Sequence, residues 1–309
     1  MPTALQRHPF LTLSLFLVPT AVWGVLFSVG KLLSAELPPF TATLARYGVA
    51  ALVLVPLAWR DLRALKLREV PFLILLGGLG GILFNGFVFV GLRMAPAGDA
   101  VLAPATVPLI TTLMSSLWLG LRPGRERIAS LGVSVLGLGV VLSSALNAQA
   151  GIARGVGDLM HLGAAVAWSA YLLLNARVAS RYAPRLLAAM TALVGGLGAL
   201  PIAWLEGGLP RFASLSLAGW LEVGYLSLIG SVVAFMLWGA GIRQMGAAKA
   251  ATFMNLVPLW GLAGSIAILH ESLGWMQLAG IILVLLGVFG GSLPTRVRPV
   301  PMNKRATAA

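Results

Sequence analysis

The sequence predicts an all-α integral membrane protein of ten transmembrane helices, arranged as two inverted five-helix repeats. Three observations carry that expectation. Hydrophobic residues fill 59% of the 309 positions and charged residues only 10%. The apolar residues arrive in blocks of about 20, the helix length that crosses roughly 30 Å of hydrocarbon. Basic residues fall in the gaps and alternate in density from gap to gap, and segments of the first half recur in the second. A soluble domain of this length would need far more polar surface to cover its core.

The elements follow in order. The first span, Phe10–Gly30, begins after a short basic start (Met1 to His8); it continues too long for a signal peptide and lacks an A-x-A cleavage site, so it is read as retained. The second, Phe40–Trp59, is interrupted only by Arg46. The third is Pro71–Leu92, whose Gly77-Gly78-Leu79-Gly80-Gly81 stretch allows close helix contact and is no phosphate loop, because no Gly-Lys-Ser/Thr follows. The fourth and fifth are Ala97–Gly120 and Ile128–Leu146. The sixth, Asp158–Ala179, carries His161. Leu186–Leu205, Leu217–Ile242, Gly246–Leu269 and Leu273–Leu293 complete the set.

The charge distribution gives the orientation. With a cytoplasmic N-terminus, 17 of the 22 Lys and Arg residues fall inside, grouped around Arg60–Arg68, Arg122–Arg127, Arg177–Arg185 and Arg296–Arg305. Lys31, Arg93, Arg154 and Arg211 fall outside, and Arg46 lies within a span. Acidic residues run the other way. The positive-inside rule therefore places both termini in the cytoplasm. The net charge of +13 is accounted for by this topology, with no aromatic-basic groove to suggest nucleic acid. Cysteine is absent, which excludes a disulfide framework, a thiolate nucleophile and Cys-based metal ligation.

The repeat divides the chain into residues 1–150 and 151–309. Gly91-Leu92-Arg93 matches Gly241-Ile242-Arg243, and Val107-Pro108-Leu109 matches Val257-Pro258-Leu259, all at an offset of 150 residues. Ala97/Ala247 and Ala100/Ala250 lie between them, and Ala21-Val22-Trp23 recurs loosely as Val166-Ala167-Trp168. Five spans per repeat force the second half to insert upside down. Inverted repeats are an architecture of alternating-access carriers, whose halves rock around a central site.

The Trp23-Gly24 pair, Ala45-Arg46-Tyr47, the Gly-Leu-Arg-x-x-x-Ala run entering a Pro-bearing fourth span, and Ile268–Glu271 closing the ninth resemble the drug/metabolite transporter superfamily, in its EamA-type branch. Within that branch the chain is similar to bacterial exporters of aromatic and broad-range amino acids. The resemblance covers nearly the whole chain. It implies a ten-helix carrier for amino acids or related metabolites. One departure is Leu121, where the second repeat has Glu271; a cap or proton site built on that Glu can then exist in only one half.

Candidate substrate-cavity residues follow from polarity and position. Pro104, Pro108 and Pro258 are expected to interrupt the fourth and ninth spans. Thr106, Thr111, Thr112 and Asn255 share those spans and either bind substrate or bond back to their own helices. Asn85, four residues from Phe89 on one face, and Asn175, nearer the cytoplasmic end of its span, are polar groups expected to face the bundle interior and are candidates to line the cavity. His161 pairs with Asp158 near the outer mouth, as a proton relay or a structural ion pair. Trp23, Trp168, Tyr171 and Trp238 lie inside their spans, with Trp260 just beyond Pro258; they are cavity walls or packing residues. Arg46 is assigned a stabilising role.

Several things are missing. No carboxylate occupies the middle of a span, which disfavours a lipophilic-cation antiporter and leaves facilitated diffusion open beside proton-coupled export of other metabolites or drugs. Asp-rich Mg²⁺ motifs, acid dyads and Ser–His pairs are absent, so no catalytic residue, metal or cofactor is expected and an enzyme is the weaker reading. The expected partners are small-molecule substrates, amino acids or similar metabolites, and membrane lipids. A receptor would need larger loops, and a channel stays open as an alternative. Substrate identity and oligomeric state do not follow from the sequence.

Overall fold

The computed structural model describes residues 9–119, 124–147, 151–179, 181–245 and 253–292. Its principal helices are α1 (Pro9–Glu36), α2 (Pro39–Leu57), α3 (Val70–Gly77, continued through Gly78–Leu83 and Phe84–Met94), α4 (Leu102–Leu119), α5 (Arg125–Asn147), α6 (Gly151–Ala176), α7 (Pro184–Leu205), α8 (Leu217–Gly224, Tyr225–Val233 and Ala234–Met245), α9 (Val257–Leu269) and α10 (Trp275–Ser292). No strand occurs among the described residues. Six helices are long and apolar enough to cross a membrane: Leu13–Glu36, Pro39–Leu57, Leu67–Met94, Ile152–Ala176, Pro184–Leu205 and Leu217–Ile242. Ile128–Val141, Val257–Leu269 and Trp275–Gly287 are shorter apolar helices. The expected spans thus coincide with helices, although Ala97 and its neighbours form a turn and a 3-10 segment, Asp99–Val101, before α4 begins. Part of the expected ninth span, and Leu121, lie outside the described residues.

The interruptions fall elsewhere than proline suggests. α4 is continuous through Pro108, whose neighbour Thr112 donates its hydroxyl to the Pro108 carbonyl at 2.8 Å. Pro258 sits in the first turn of α9, where the missing N–H costs nothing, and a turn at Asn255–Leu256 precedes it. The irregular helices are α3 and α8, each of which widens into a π-helical segment, Gly78–Leu83 and Tyr225–Val233. At the 150-residue offset those segments overlap, and Gly80 corresponds to Gly230. A π segment shifts the hydrogen-bond register and leaves carbonyls for other donors, which is why such segments gather at functional sites.

α2 lies along α7, and both carry proline in the first turn and again near the end: Pro39 and Pro56, Pro184 and Pro201. α1 packs on α8 and α9, as α6 packs on α3 and α4. α5 lies along α10. There a Cβ at Gly137 would come within 2.6 Å of the Gly280 carbonyl, and one at Gly287 within 2.6 Å of the Ser130 carbonyl, the same contact read in the opposite direction. Ser134 Oγ donates to the carbonyl of Val284, its own counterpart, at 3.4 Å. The largest buried cluster joins Phe27 and Leu33 of α1, Val88 and Phe89 of α3, Ala103 of α4, Ala164 of α6, Leu226 of α8 and Val257 of α9.

The two ends of the bundle differ in sign. At one end, carboxylates close helix N-termini on neighbouring elements. Glu206, after α7, accepts from Phe40 N and Thr41 N at the start of α2 at 3.1 and 3.2 Å. Glu36, ending α1, accepts from Ser216, the N-cap of α8, at 2.9 Å from its N–H and 2.6 Å from its hydroxyl. Negative charge is favoured at such termini. The opposite, basic end relies on exposed ion pairs, Arg181–Glu69 and Arg185–Asp61. Arg185 donates to both oxygens of Asp61, at 2.5 and 3.1 Å, and these bonds hold the Asp61 carboxyl below the usual carboxylate range. A depressed carboxylate stabilises the fold above its unfolded value, about 3.9, and that contribution is lost as pH falls through the folded value. Melting of wild type and Asp61→Asn in detergent should therefore differ slightly at neutral pH and converge on acidification. A gap that widens in acid would contradict the pairing.

Candidate functional site

The centre of the bundle holds a buried arginine. Arg46 projects from α2 between the two π segments and is 4% exposed. Its Nη1 donates to Asn85 Oδ1 at 2.7 Å and its Nε to Ser231 Oγ at 3.1 Å. Asn85 in turn gives its amide to the carbonyls of Gly80 and Gly81, both at 3.1 Å, and to the Tyr47 hydroxyl at 2.9 Å. Ser231 closes the π segment of α8 by donating to the Leu226 carbonyl at 3.0 Å. The Gly230 carbonyl is taken by Trp23 Nε1 at 3.0 Å, and the Gly80 carbonyl also receives the Tyr47 hydroxyl at 3.3 Å. Gly80 and Gly230, 150 residues apart, thus both accept from side chains outside their helices. The charge of Arg46 has no carboxylate partner among the described residues; its neighbours are an amide, a hydroxyl and the Tyr47 ring, 5.3 Å from the guanidinium carbon.

Aromatic rings flank this network in two groups. Trp168 of α6 lies 4.8 Å from Tyr171 in a stacked arrangement and 4.9 Å from Phe84 of α3. Tyr171 sits on Gly80, where a Cβ would meet the ring at 2.9 Å, so this glycine is required for the ring to reach the π segment. On the other side Trp23 of α1 lies 5.2 Å from both Phe235 and Trp238 of α8, and Trp238 is 4.9 Å from Phe16. The first group stands on α3 and α6, the second on α1 and α8.

The sequence-predicted residues divide accordingly. Trp23, Asn85, Trp168, Tyr171 and Trp238 gather around the π segments. Phe89 is 1% exposed within the central apolar cluster, and Thr106, fully buried, donates back to Ala103 of its own chain turn at 3.3 Å. Pro108 is half-buried in α4; Asn255 and Pro258 are buried at the start of α9. Trp260 is 40% exposed, its backbone abutting Gly24 rather than its ring meeting the other tryptophans. His161 is apart from this set, at the acidic end, and makes no hydrogen bond to Asp158. By sequence Arg46 is a stabiliser, Tyr47 enters only through the Ala45-Arg46-Tyr47 motif, and Ser231 carries no signal of its own. The available signal was the lone cation inside a span, together with Gly80 and Gly230 at the repeat offset.

The acidic end carries a second polar site. A cavity of about 490 Å³ is lined by Lys31, Ala95, Arg154, Glu271 and Gln277, among others. Glu271 reaches it because His270 adopts a left-handed conformation, φ 53°, at the end of α9. Its carboxylate accepts the N–H groups of Ala97 and Gly98 at 2.7 and 2.8 Å, tying the α9–α10 connection to the turn before α4. Arg154 of α6 grips Asp99 through two bonds, 2.7 and 3.1 Å.

Apolar helices arranged around buried polar groups define a multi-pass membrane protein. The model of the EamA-like transporter family matches the chain twice, over residues 10–143 and 155–293. The chain belongs to that family, within the drug/metabolite transporter superfamily, and is a membrane transporter. An uncharacterized transporter of Bacillus subtilis is 23% identical over 278 residues, 89% of this chain and 91% of the relative. A probable amino-acid metabolite efflux pump of Salmonella typhimurium is 27% identical over 297 residues, 92% of this chain and 95% of the relative. A solved crystal structure, 19% identical, has a TM-score of 0.59 over 93% of this chain and 99% of its own, and shares the fold.

Proposed function

We propose that the chain is an inner-membrane carrier that exports amino acids or related small metabolites by alternating access. On this reading ten spans form two inverted repeats, residues 1–150 and 151–309, with both termini in the cytoplasm. The observation that carries it is the pair of π segments at matching positions of the two halves, bridged through Arg46, Asn85, Ser231 and Trp23. Irregular helix at repeat-related depth is where carriers of this architecture hold their cargo. The separate match of the family model to each half, and the reciprocal contacts of Gly137 with Gly280 and Gly287 with Ser130, support the repeat. The names borne by relatives support the substrate class.

The roles follow from chemistry. A guanidinium without an acidic partner suits the carboxylate of a zwitterion. Trp168, Tyr171, Trp23 and Trp238 offer ring faces to apolar side chains, and Asn85, Thr106 and Asn255 are the polar candidates beside them. Phe89, Pro108, Pro258 and Trp260 remain candidates by position on the same helices, and His161 belongs with the acidic end.

Flux of labelled amino acids into proteoliposomes tests the reading. Saturable uptake with counterflow is expected, since a carrier exchanges cargo across the membrane in both directions. Trp168→Ala should lower flux about tenfold, the worth of one lost aromatic contact of about 1.4 kcal/mol, while the protein still purifies as a monodisperse species. Flux without saturation or counterflow would indicate a channel. No flux over a broad amino-acid panel would remove the substrate assignment.

A further inference from the structure

Two carboxylates at the acidic end share one guanidinium. Asp99 is fully buried and receives both bonds from Arg154, and the Gln277 amide donates to the same carboxylate. Asp158 follows Arg154 by one turn of α6 and faces both Asp99 and Arg154. It too is 0% exposed, yet neither of its oxygens has a hydrogen-bond partner. His161, nearly one turn further along α6, is 0% exposed with both ring nitrogens unpartnered, packed where α3 offers Gly91. The other charges facing this cluster are Lys31 of α1 and Glu271. Lys31 donates to the carbonyls of Leu92 and Ala95, and Glu271 is fixed on Ala97 and Gly98.

The charges pair off unevenly. Arg154 gives both its bonds to Asp99 and Lys31 faces Glu271, so Asp158 shares the guanidinium's charge but receives no hydrogen bond from a cation. A buried, unpaired carboxylate is costly, and the group escapes that cost by binding a proton. No described cluster of three or more His, Asp or Glu residues is arranged to hold a metal ion. Two carboxyls beside each other also cannot both ionise readily, and Asp99 holds all the donors.

We propose that Asp158 is a proton-binding site whose occupancy permits the acidic end to close, so that transport is coupled to the proton gradient. The proposal rests on the carrier reading above. When this end opens, water reaches Asp158 and its carboxylate exchanges with the medium. Binding one proton converts it to the neutral acid, and the end can then close around it with Asp99 held by Arg154 and Gln277. With the acidic end closed and the basic end open, the proton leaves to the basic side, so each cycle carries one proton inward. His161 is the next titratable group on α6 toward the centre and gives it a second stop in that direction. Acid at this face favours the closed end, so an inward proton gradient speeds net export.

Two substrate-free measurements test this. Infrared difference spectra between acidic and alkaline buffer report the carbonyl stretch of a buried carboxylic acid. Wild type should show such a band and lose it on alkalinisation; Asp158→Asn should lack it, and Asp61→Asn, at the basic end, should keep it. Because the chain has no cysteine, a single Ala97→Cys reports opening of the cluster, Ala97 being fully buried. Its alkylation, normalised to Arg63→Cys on the exposed basic end, should rise with pH, and should stay slow and pH-independent when Asp158→Asn is added. If Asp158→Asn fails to fold, Asp158→Glu keeps the acid and should shift the band. Absence of the band in wild type, its survival in Asp158→Asn, or pH-independent alkylation in the Ala97→Cys background each overturns the proposal. Missing amino-acid flux would sink the substrate assignment instead, since neither readout uses substrate.

Discussion

Arg46→Gln is expected to lower amino-acid flux by about 10–100-fold while changing the melting temperature little. Glutamine keeps an amide donor for Asn85 Oδ1 and loses the charge, so it separates the two roles the arginine can have. A charge-assisted hydrogen bond to a carboxylate is worth about 1.5–3 kcal/mol, and each 1.4 kcal/mol is a factor of ten. Arg46→Ala should do more damage to the fold itself. It removes the donors to Asn85 Oδ1 and Ser231 Oγ, the groups that close two π segments, at about 1–3 kcal/mol for each buried polar group left unpaired. Lysine restores charge without the planar fork and should recover only part of the flux. Initial rates in proteoliposomes and melting curves in detergent check the series. Unchanged flux in Arg46→Gln would leave the residue a brace and move the carboxylate contact elsewhere. Unchanged stability in Arg46→Ala would remove the brace.

The same residue shows how far the sequence could be read. Helix positions were legible because lipid leaves only one economical way to satisfy backbone polar groups, and apolar blocks record it directly. The boundaries that moved did so for tertiary reasons. α6 starts at Gly151, well before Asp158, in a turn that carries Arg154 to Asp99, a partner 55 residues away. Proline was a poor guide to interruption, since Pro258 falls in a first turn and α4 absorbs Pro108. The π segments carry no proline and announce themselves only through glycine, as Gly80 and Gly230. Their freed carbonyls are met locally by Asn85 and Ser231 and from other helices by Tyr47 and Trp23. Asn85 and four interior aromatics were legible as interior groups because buried polarity and ring position are local properties. Arg46 and Ser231 were not legible as partners because their contact spans 185 residues. Pairing of His161 with Asp158 followed from helical spacing, and the structure places both on α6 without a bond between them; Asp99, from the turn before α4, meets Arg154 of the same helix instead.

Gly24→Val should abolish folded protein, and even Gly24→Ala should be poorly tolerated. Gly24 sits where α1 crosses α9; a Cβ there would lie 2.7 Å from Gly261 N and 2.8 Å from the Trp260 carbonyl carbon, and closer still to Trp260 Cβ. These are backbone atoms, which cannot step aside as the end of a flexible side chain can. Small residues at membrane helix crossings serve to bring backbones together, and the seam would have to part along its length. Overpacking costs about 1–3 kcal/mol in a yielding core and more where the backbone must move. The motif Trp23-Gly24 acquires a physical meaning here: the glycine lets α9 approach α1, and that approach fixes the helix on which Trp23 reaches the Gly230 carbonyl. Gly139→Ala supplies the control, because nothing lies within 4 Å of a Cβ at that helical position. There alanine should be neutral or stabilise by up to about 1 kcal/mol through helix propensity. Size-exclusion profiles of fluorescent fusions separate the cases. A monodisperse, thermally unaltered Gly24→Val would mean that α1 and α9 are not in backbone contact, and with that the route from the Trp-Gly motif to the π segment of α8 would be lost.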